Sequence, residues 1–118
     1  MSAAARRVLV MDVPVLAAIF SRRLGTTGLT VLTDPAAIGG DERLACALLD
    51  LATGGLGIAA ALLVRQPELR VAFLTSGADA ATLEAAGEIG TSFVKPSGMR
   101  EALEWVRSAA AAADRHGR

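Results

Sequence analysis

The stretch LACALLDLATGGLG, residues 44–57, decides how the rest of the chain is read. Six apolar residues run into one acid, Asp50, and then into a loop carrying three glycines. A buried strand with a carboxylate at its carboxyl end is where parallel α/β sheets place their chemistry. Three other apolar stretches also end on a polar residue: Asp12 after RVLVM, Thr75 after VAFL and Lys95 after SFV. A parallel sheet would bring all four to one edge.

The composition supports a buried sheet. At 118 residues the chain is long enough for one domain with its own core, and 53% hydrophobic with 20% charged residues excludes a disordered chain. The net charge is zero, aromatic residues make up 3%, and there is no Tyr. Those values argue against a basic nucleic-acid footprint or a base-stacking platform. A single cysteine, Cys46, falls inside the apolar run and is expected to be buried, and the one histidine, His116, lies in the polar tail. Neither a disulfide framework nor a His/Cys metal site can be assembled from them. Arg6 and Arg7 before an apolar run imitate a signal peptide, but Asp12 and Pro14 interrupt it and no small-residue cleavage site follows. Residues 44–64 imitate a membrane span, yet Asp50, Thr53 and three glycines sit inside them. The chain is therefore expected to be soluble and cytoplasmic.

Taken in order, residues 7–11 predict a strand, and Pro14 suits the first turn of a helix that Gly25 ends. Leu16, Ile19, Phe20 and Leu24 mark the expected buried face of that helix. Residues 29–33 read as a second strand. The segment 34–43, DPAAIGGDER, has room for one or two turns only, so the second helix should be short. Residues 44–49 give a third strand, 58–66 an apolar helix stopped by Pro67, and 71–74 a fourth strand. Asp79 can cap the next helix, which runs through Glu84 toward Ala86 with its end blurred by Gly87 and Gly90. Residues 92–94 are a brief fifth strand. Ser97 is the expected cap of the last helix, whose stripe is Met99, Ala102, Leu103, Val106 and Ala110. Strands alternating with helices imply a parallel sheet with right-handed crossovers. The expected fold is a three-layer flavodoxin-like (βα)5 domain over 1–118, with flexible tails at 1–5 and 114–118.

The strand ends carry the chemistry. Two carboxylates about 4–5 Å apart repel by roughly 1–4 kcal/mol, so a cation must sit with them. Lys95 is the only lysine among twelve basic residues, the others being arginine. A compact ammonium fits a tight site where a planar guanidinium does not. Asp50 alone would read as a cap for the following helix, and Thr75 alone as an ordinary strand-end hydroxyl. Their order along the chain gives them weight.

VLVMD, LACALLDL, VAFLTS and SFVKP follow one another as in the receiver domains of bacterial two-component response regulators, which the chain resembles from Arg7 to about Arg107. The resemblance implies that Asp50 accepts a phosphoryl group from a sensor histidine kinase or phosphotransfer protein. Asp12, Asp50 and the backbone carbonyl of Ala52 would hold Mg2+. Thr75 would bond a phosphoryl oxygen, Lys95 would pair with the phosphoryl group, and the peptide before Pro96 would be cis. Phe93 would be the switch aromatic. Signalling would pass to a downstream protein target, with a homodimer left open and no enzyme activity, nucleic acid or membrane involved.

The sequence departs from that family in four places. Most receivers have two adjacent acids after the first strand, and the second here is Val13, which weakens the expected Mg2+ site. The loop after Asp50 reads LATGGLG, without the family's Pro and acid. The second helix is clipped. The strand before Lys95 is one residue short. An alternative reading is a pseudo-receiver, an interaction module with weak or no Mg-dependent phosphorylation. A third is a small enzyme using Asp50 as nucleophile, for which no substrate-binding features are visible. The G-x-G-x-x-A match at residues 55–60 lies too far past its strand, and on the wrong strand, for a dinucleotide site. Trp105 lies roughly 100–120° from the stripe of the last helix. It reads equally as a residue lying along the helix flank or as part of a docking surface with the preceding helix and strand.

Overall fold

The computed structural model describes residues 7–40 and 42–116. Five short apolar runs form strands β1 (Arg7–Met11), β2 (Thr30–Leu32), β3 (Cys46–Asp50), β4 (Arg70–Thr75) and β5 (Ser92–Val94). They pair as one parallel sheet in the order β2-β1-β3-β4-β5. The connections contain helices α1 (Pro14–Gly25), α2 (Gly55–Arg65), α3 (Ala80–Ile89) and α4 (Met99–His116). The second crossover holds only a 3-10 turn, Pro35–Ala37, capped by the Asp34 carboxylate on the Ala36 N–H. This is the three-layer flavodoxin-like architecture, its strand order reversing between β1 and β3.

Alternation along the strands builds the two cores. Val8, Val10, Cys46, Leu48, Ala72 and Leu74 point to one face, against Phe20 and Leu24 of α1 and Ala102, Val106, Ala109 and Ala110 of α4. Leu9, Met11, Ala47, Leu49, Val71 and Phe73 point to the other, against Ala59 and Leu62 of α2, Ala86 of α3 and Ile38. β1 and β3 are covered on both sides, which is why they read as continuous apolar runs. At the opposite end from Asp50, the Gln66 side chain clamps the backbone of Leu44, accepting from its N–H (3.1 Å) and donating to its carbonyl (2.8 Å). Arg7 and Glu42 form an ion pair nearby.

Several boundaries differ from the sequence expectation. Helix α2 starts at Gly55, not residue 58, because the loop after Asp50 closes at once into a 3-10 turn, Leu51–Thr53. Gly54 then takes φ +97°, a left-handed conformation that costs glycine little. Helix α3 passes through Gly87 and ends at Gly90. On α1 the buried positions are Ala17, Phe20 and Leu24, while Ile19 is exposed, so the stripe lies one position round from the expected one. Ser97 is not the cap of α4: Gly98 offers the carbonyl that accepts from the Ala102 N–H. The backbone of α4 stays helical through His116, into the stretch expected to be a tail, and residues 1–5 and 117–118 of the expected tails lie outside the described residues. No helix among the described residues is long and apolar enough to cross a membrane.

Two stability outcomes follow from this packing. A Cβ at Gly90 would run into the Val71 carbonyl oxygen, whereas one at Gly87 meets nothing within 4 Å. Gly90→Ala should therefore lose about 3 kcal/mol or more by urea unfolding, and Gly87→Ala should gain about 0.5–1 kcal/mol. The second outcome concerns pH. Burial pushes the Cys46 thiol up to about 12 from 9.0, with the charge of Arg70 pulling weakly the other way. A folded-state pKa above the unfolded one means a contribution that is complete below pH 9 and lost as pH rises toward 12, at about 1.4 kcal/mol per pH unit. The urea midpoint should fall across that window in the native protein and fall less steeply in Cys46→Ala.

Candidate functional site

The carboxyl ends of β1, β3 and β4, and the residue following β5, converge on one edge of the sheet. Asp50 is the last residue of β3 and is 1% exposed. Its register opposite Leu74 follows from the β3–β4 ladder, which places Thr75 one step beyond. Asp12 follows β1 directly, and its side chain is fully buried although its backbone is not. Lys95 follows β5, and its N–H donates to the Thr75 carbonyl at 2.8 Å, extending the ladder by one residue. The Lys95–Pro96 peptide is cis.

The Lys95 ammonium joins the two acids. Nζ lies 2.9 Å from Asp50 Oδ1 and 3.1 Å from each oxygen of Asp12. The remaining carboxylate contacts come from the backbone: the Val13 N–H donates to Asp12 Oδ1 at 2.6 Å and the Thr53 N–H to Asp50 Oδ2 at 3.1 Å. All four carboxylate oxygens are thus hydrogen-bonded, and no buried side-chain polar atom among the described residues lacks a partner. Burial of the ammonium lowers its pKa, but hydrogen bonds and charges from Asp50 and Asp12 outweigh that, and the net shift is upward from 10.5. The lysine is a full positive charge at neutral pH.

The loop that sets Asp50 is built from its own sequence. The Asp50 carboxylate caps the 3-10 turn, and the Thr53 hydroxyl returns a bond to the Asp50 carbonyl at 3.3 Å. Gly55 passes so close beneath that a Cβ there would be 2.7 Å from the Asp50 carbonyl oxygen. Sequence reasoning named Ala52 in this loop and missed Thr53 and Gly55. The signal available was the residue three after Asp50, the spacing of a cap.

The other expected site residues divide into two groups. Thr75 is buried at the end of β4, and its Oγ1 accepts from the N–H groups of Gly77 (3.3 Å) and Ala78 (3.1 Å). Neither bond uses its O–H proton, which is available to donate. A recess of about 270 Å3 opens beside it, lined by Leu51, Ala52, Thr75, Ser76, Gly77 and Thr82 among others. Phe93 and Trp105 are not part of this pocket. Both are half-buried and pack against the core shared by α1 and α4. Exposed Leu83 and Val94 stand on α3 and β5.

A divalent ion is poorly provided for. The donors are two carboxylates already bridged by an ammonium, with Ala52 exposed in the turn and Val13 turning an apolar side chain to solvent. Among the described residues no group of three acidic, His or Cys side chains could hold a metal. With net charge −1 and every carboxylate oxygen engaged, the residues present do not fit a resident divalent cation.

The chain has the α/β fold of response-regulator receiver domains. It is similar to a response regulator from Burkholderia pseudomallei described with a phosphorylated aspartic acid, calcium ion and citrate. The two share 26% identity and a TM-score of 0.70 over 95% of this chain and 72% of that one. A CheY-like receiver domain from Methanospirillum hungatei matches at TM-score 0.76 and 18% identity, over 94% of this chain and 98% of that one. The beryllofluoride-activated NtrC4 receiver domain dimer matches at TM-score 0.74 and 20% identity, over 90% and 97%. No protein-family model matches the sequence, and no curated protein does.

Removing the ammonium should show how much the pocket depends on it. Lys95→Met keeps the length and loses the charge, leaving two buried carboxylates facing each other. We expect a loss of about 3–5 kcal/mol in urea unfolding, most of it recovered when Asp12→Asn and Asp50→Asn are added.

Proposed function

We propose that the protein is a phosphorelay receiver whose Asp50 takes a phosphoryl group from a sensor histidine kinase or phosphotransfer protein. The observation that supports this best is the contact of Lys95 Nζ with Asp50 Oδ1 at 2.9 Å, at the carboxyl edge of a receiver-type sheet. Phosphoryl transfer asks a protein mainly for positioning and charge neutralisation. Asp50 supplies a carboxylate nucleophile held in one orientation by the Thr53 N–H and Lys95. As the P–O bond to Asp50 forms, the donor's bond to phosphorus breaks and its electron pair leaves with the donor.

The neighbouring groups then have defined parts to play. Lys95 is placed to pair with the new phosphoryl oxygens, and the recess beside Thr75 gives them room. Thr75 would donate its O–H to one of them. Its oxygen can go on accepting from the N–H groups of Gly77 and Ala78 while it does so, which ties the acyl phosphate to the β4–α3 loop. The readout would be a changed surface for a downstream protein target or a second copy, with α3, β5 and Trp105 of α4 as the face concerned. This is a signalling part without turnover, and a histidine-kinase donor places it in the cytoplasm.

Acetyl phosphate serves as a small-molecule donor for the test. Incubation with about 10 mM of it and of Mg2+, in excess by mass action, should add one phosphoryl group by intact mass. The label should map to Asp50, vanish in Asp50→Asn, and change Trp105 emission or oligomeric state. No label under these conditions would leave the pseudo-receiver reading, an interaction module with the fold alone.

A further inference from the structure

We propose that Lys95 is the resident cation of this pocket and that Asp50 accepts its phosphoryl group without a divalent ion. The inference rests on Asp50 being the acceptor, as above. It goes further in naming what neutralises the charge of the reaction.

Geometry carries it. Nζ touches three of the four carboxylate oxygens, at 2.9, 3.1 and 3.1 Å, so it occupies the space between Asp12 and Asp50. A hard divalent ion needs that same space, because it must take its protein ligands at about 2.0–2.6 Å and fill a coordination shell of six or more oxygens. Entering would mean displacing the ammonium while keeping it within a few ångströms as a like charge. The fourth oxygen, Asp50 Oδ2, faces the Thr53 N–H, and Asp12 Oδ1 accepts a second bond from the Val13 N–H. These bonds fix both carboxylates in the orientation that suits the lysine.

Two further features favour the lysine over a metal. The residue after Asp12 is Val13, 42% exposed and without a ligand atom on its side chain, so among the described residues no third carboxylate joins the two to draw in a dication. The Lys95 backbone is also fixed, by its N–H bond to Thr75 at 2.8 Å, and its side chain is only 12% exposed. The ammonium is preorganised, and swinging out to make way for an ion would break three hydrogen bonds. When acetyl phosphate is the donor, a P–O bond to Asp50 forms, the bond from phosphorus to the acetyl oxygen breaks, and acetate leaves with the electron pair. Lys95 stays beside Asp12 and turns its contact from Asp50 Oδ1 to a phosphoryl oxygen, and no proton or second cation is needed.

The test measures labelling and metal binding separately. Acetyl phosphate labelling of the whole chain is run in excess EDTA and in about 10 mM Mg2+. Calorimetry and thermal melting with Mg2+ or Mn2+ alone read binding without any donor. The expected result is equal labelling within about twofold in the two conditions, and no metal-dependent heat or melting shift. Val13→Asp adds the absent carboxylate and should gain a measurable Mg2+ heat and melting shift, reporting that the assay detects binding in this pocket. Labelling that fails in EDTA and returns with Mg2+, or a Mg2+-dependent melting shift in the unmodified protein, overturns the inference while leaving Asp50 as acceptor. Labelling absent in both conditions removes the acceptor reading and with it this proposal, while a lack of metal heat would still stand as a property of the pocket.

Discussion

One ammonium holds the carboxyl edge of this sheet together. Asp12 and Asp50 come from strands that pair side by side, and nothing in the backbone ladder tolerates two buried carboxylates meeting there. Lys95 resolves the conflict from 83 residues away from Asp12 and 45 from Asp50. The contact is therefore also a topological statement, since it exists only if β5 lies on its proper side of β4 and ends at its proper residue. Around it, loop chemistry is arranged to agree: the Thr53 N–H fixes one acid, the Val13 N–H fixes the other, and the Thr75 carbonyl fixes the lysine backbone.

Much of this was legible beforehand because it rests on strong local signals. β1 and β5 are bounded as the sequence implies, since short β-branched runs flanked by an acid or by Lys-Pro leave little freedom. The short second crossover follows from DPAAIGGDER having too few helix-forming residues between Pro35 and Gly39. The meeting of Asp12, Asp50 and Lys95 followed from strand order, which alternation and the family resemblance made specific.

The misses share a cause, in that each depends on a close approach that only assembled elements create. Helix α2 begins three residues early because Gly55 tucks under the Asp50 carbonyl, a contact invisible in LATGG. Gly90 rather than Gly87 ends α3 because Val71 lies against it. Ile19 faces solvent because α1 turns Phe20 and Leu24 into the core shared with α4, with Ala17 as its third buried position. Hydrophobic spacing gave the face of that helix to within one position and no finer.

The second crossover is abbreviated. Where a full helix would stand beside α2, there is a single 3-10 turn, with Arg65 reaching across to the Gly39 carbonyl at 2.6 Å. The flank beside α2 therefore presents a short turn and no projecting helix. A surface can thus be set apart by what the chain omits, and residues 34–43 are where a longer crossover would restore the missing projection.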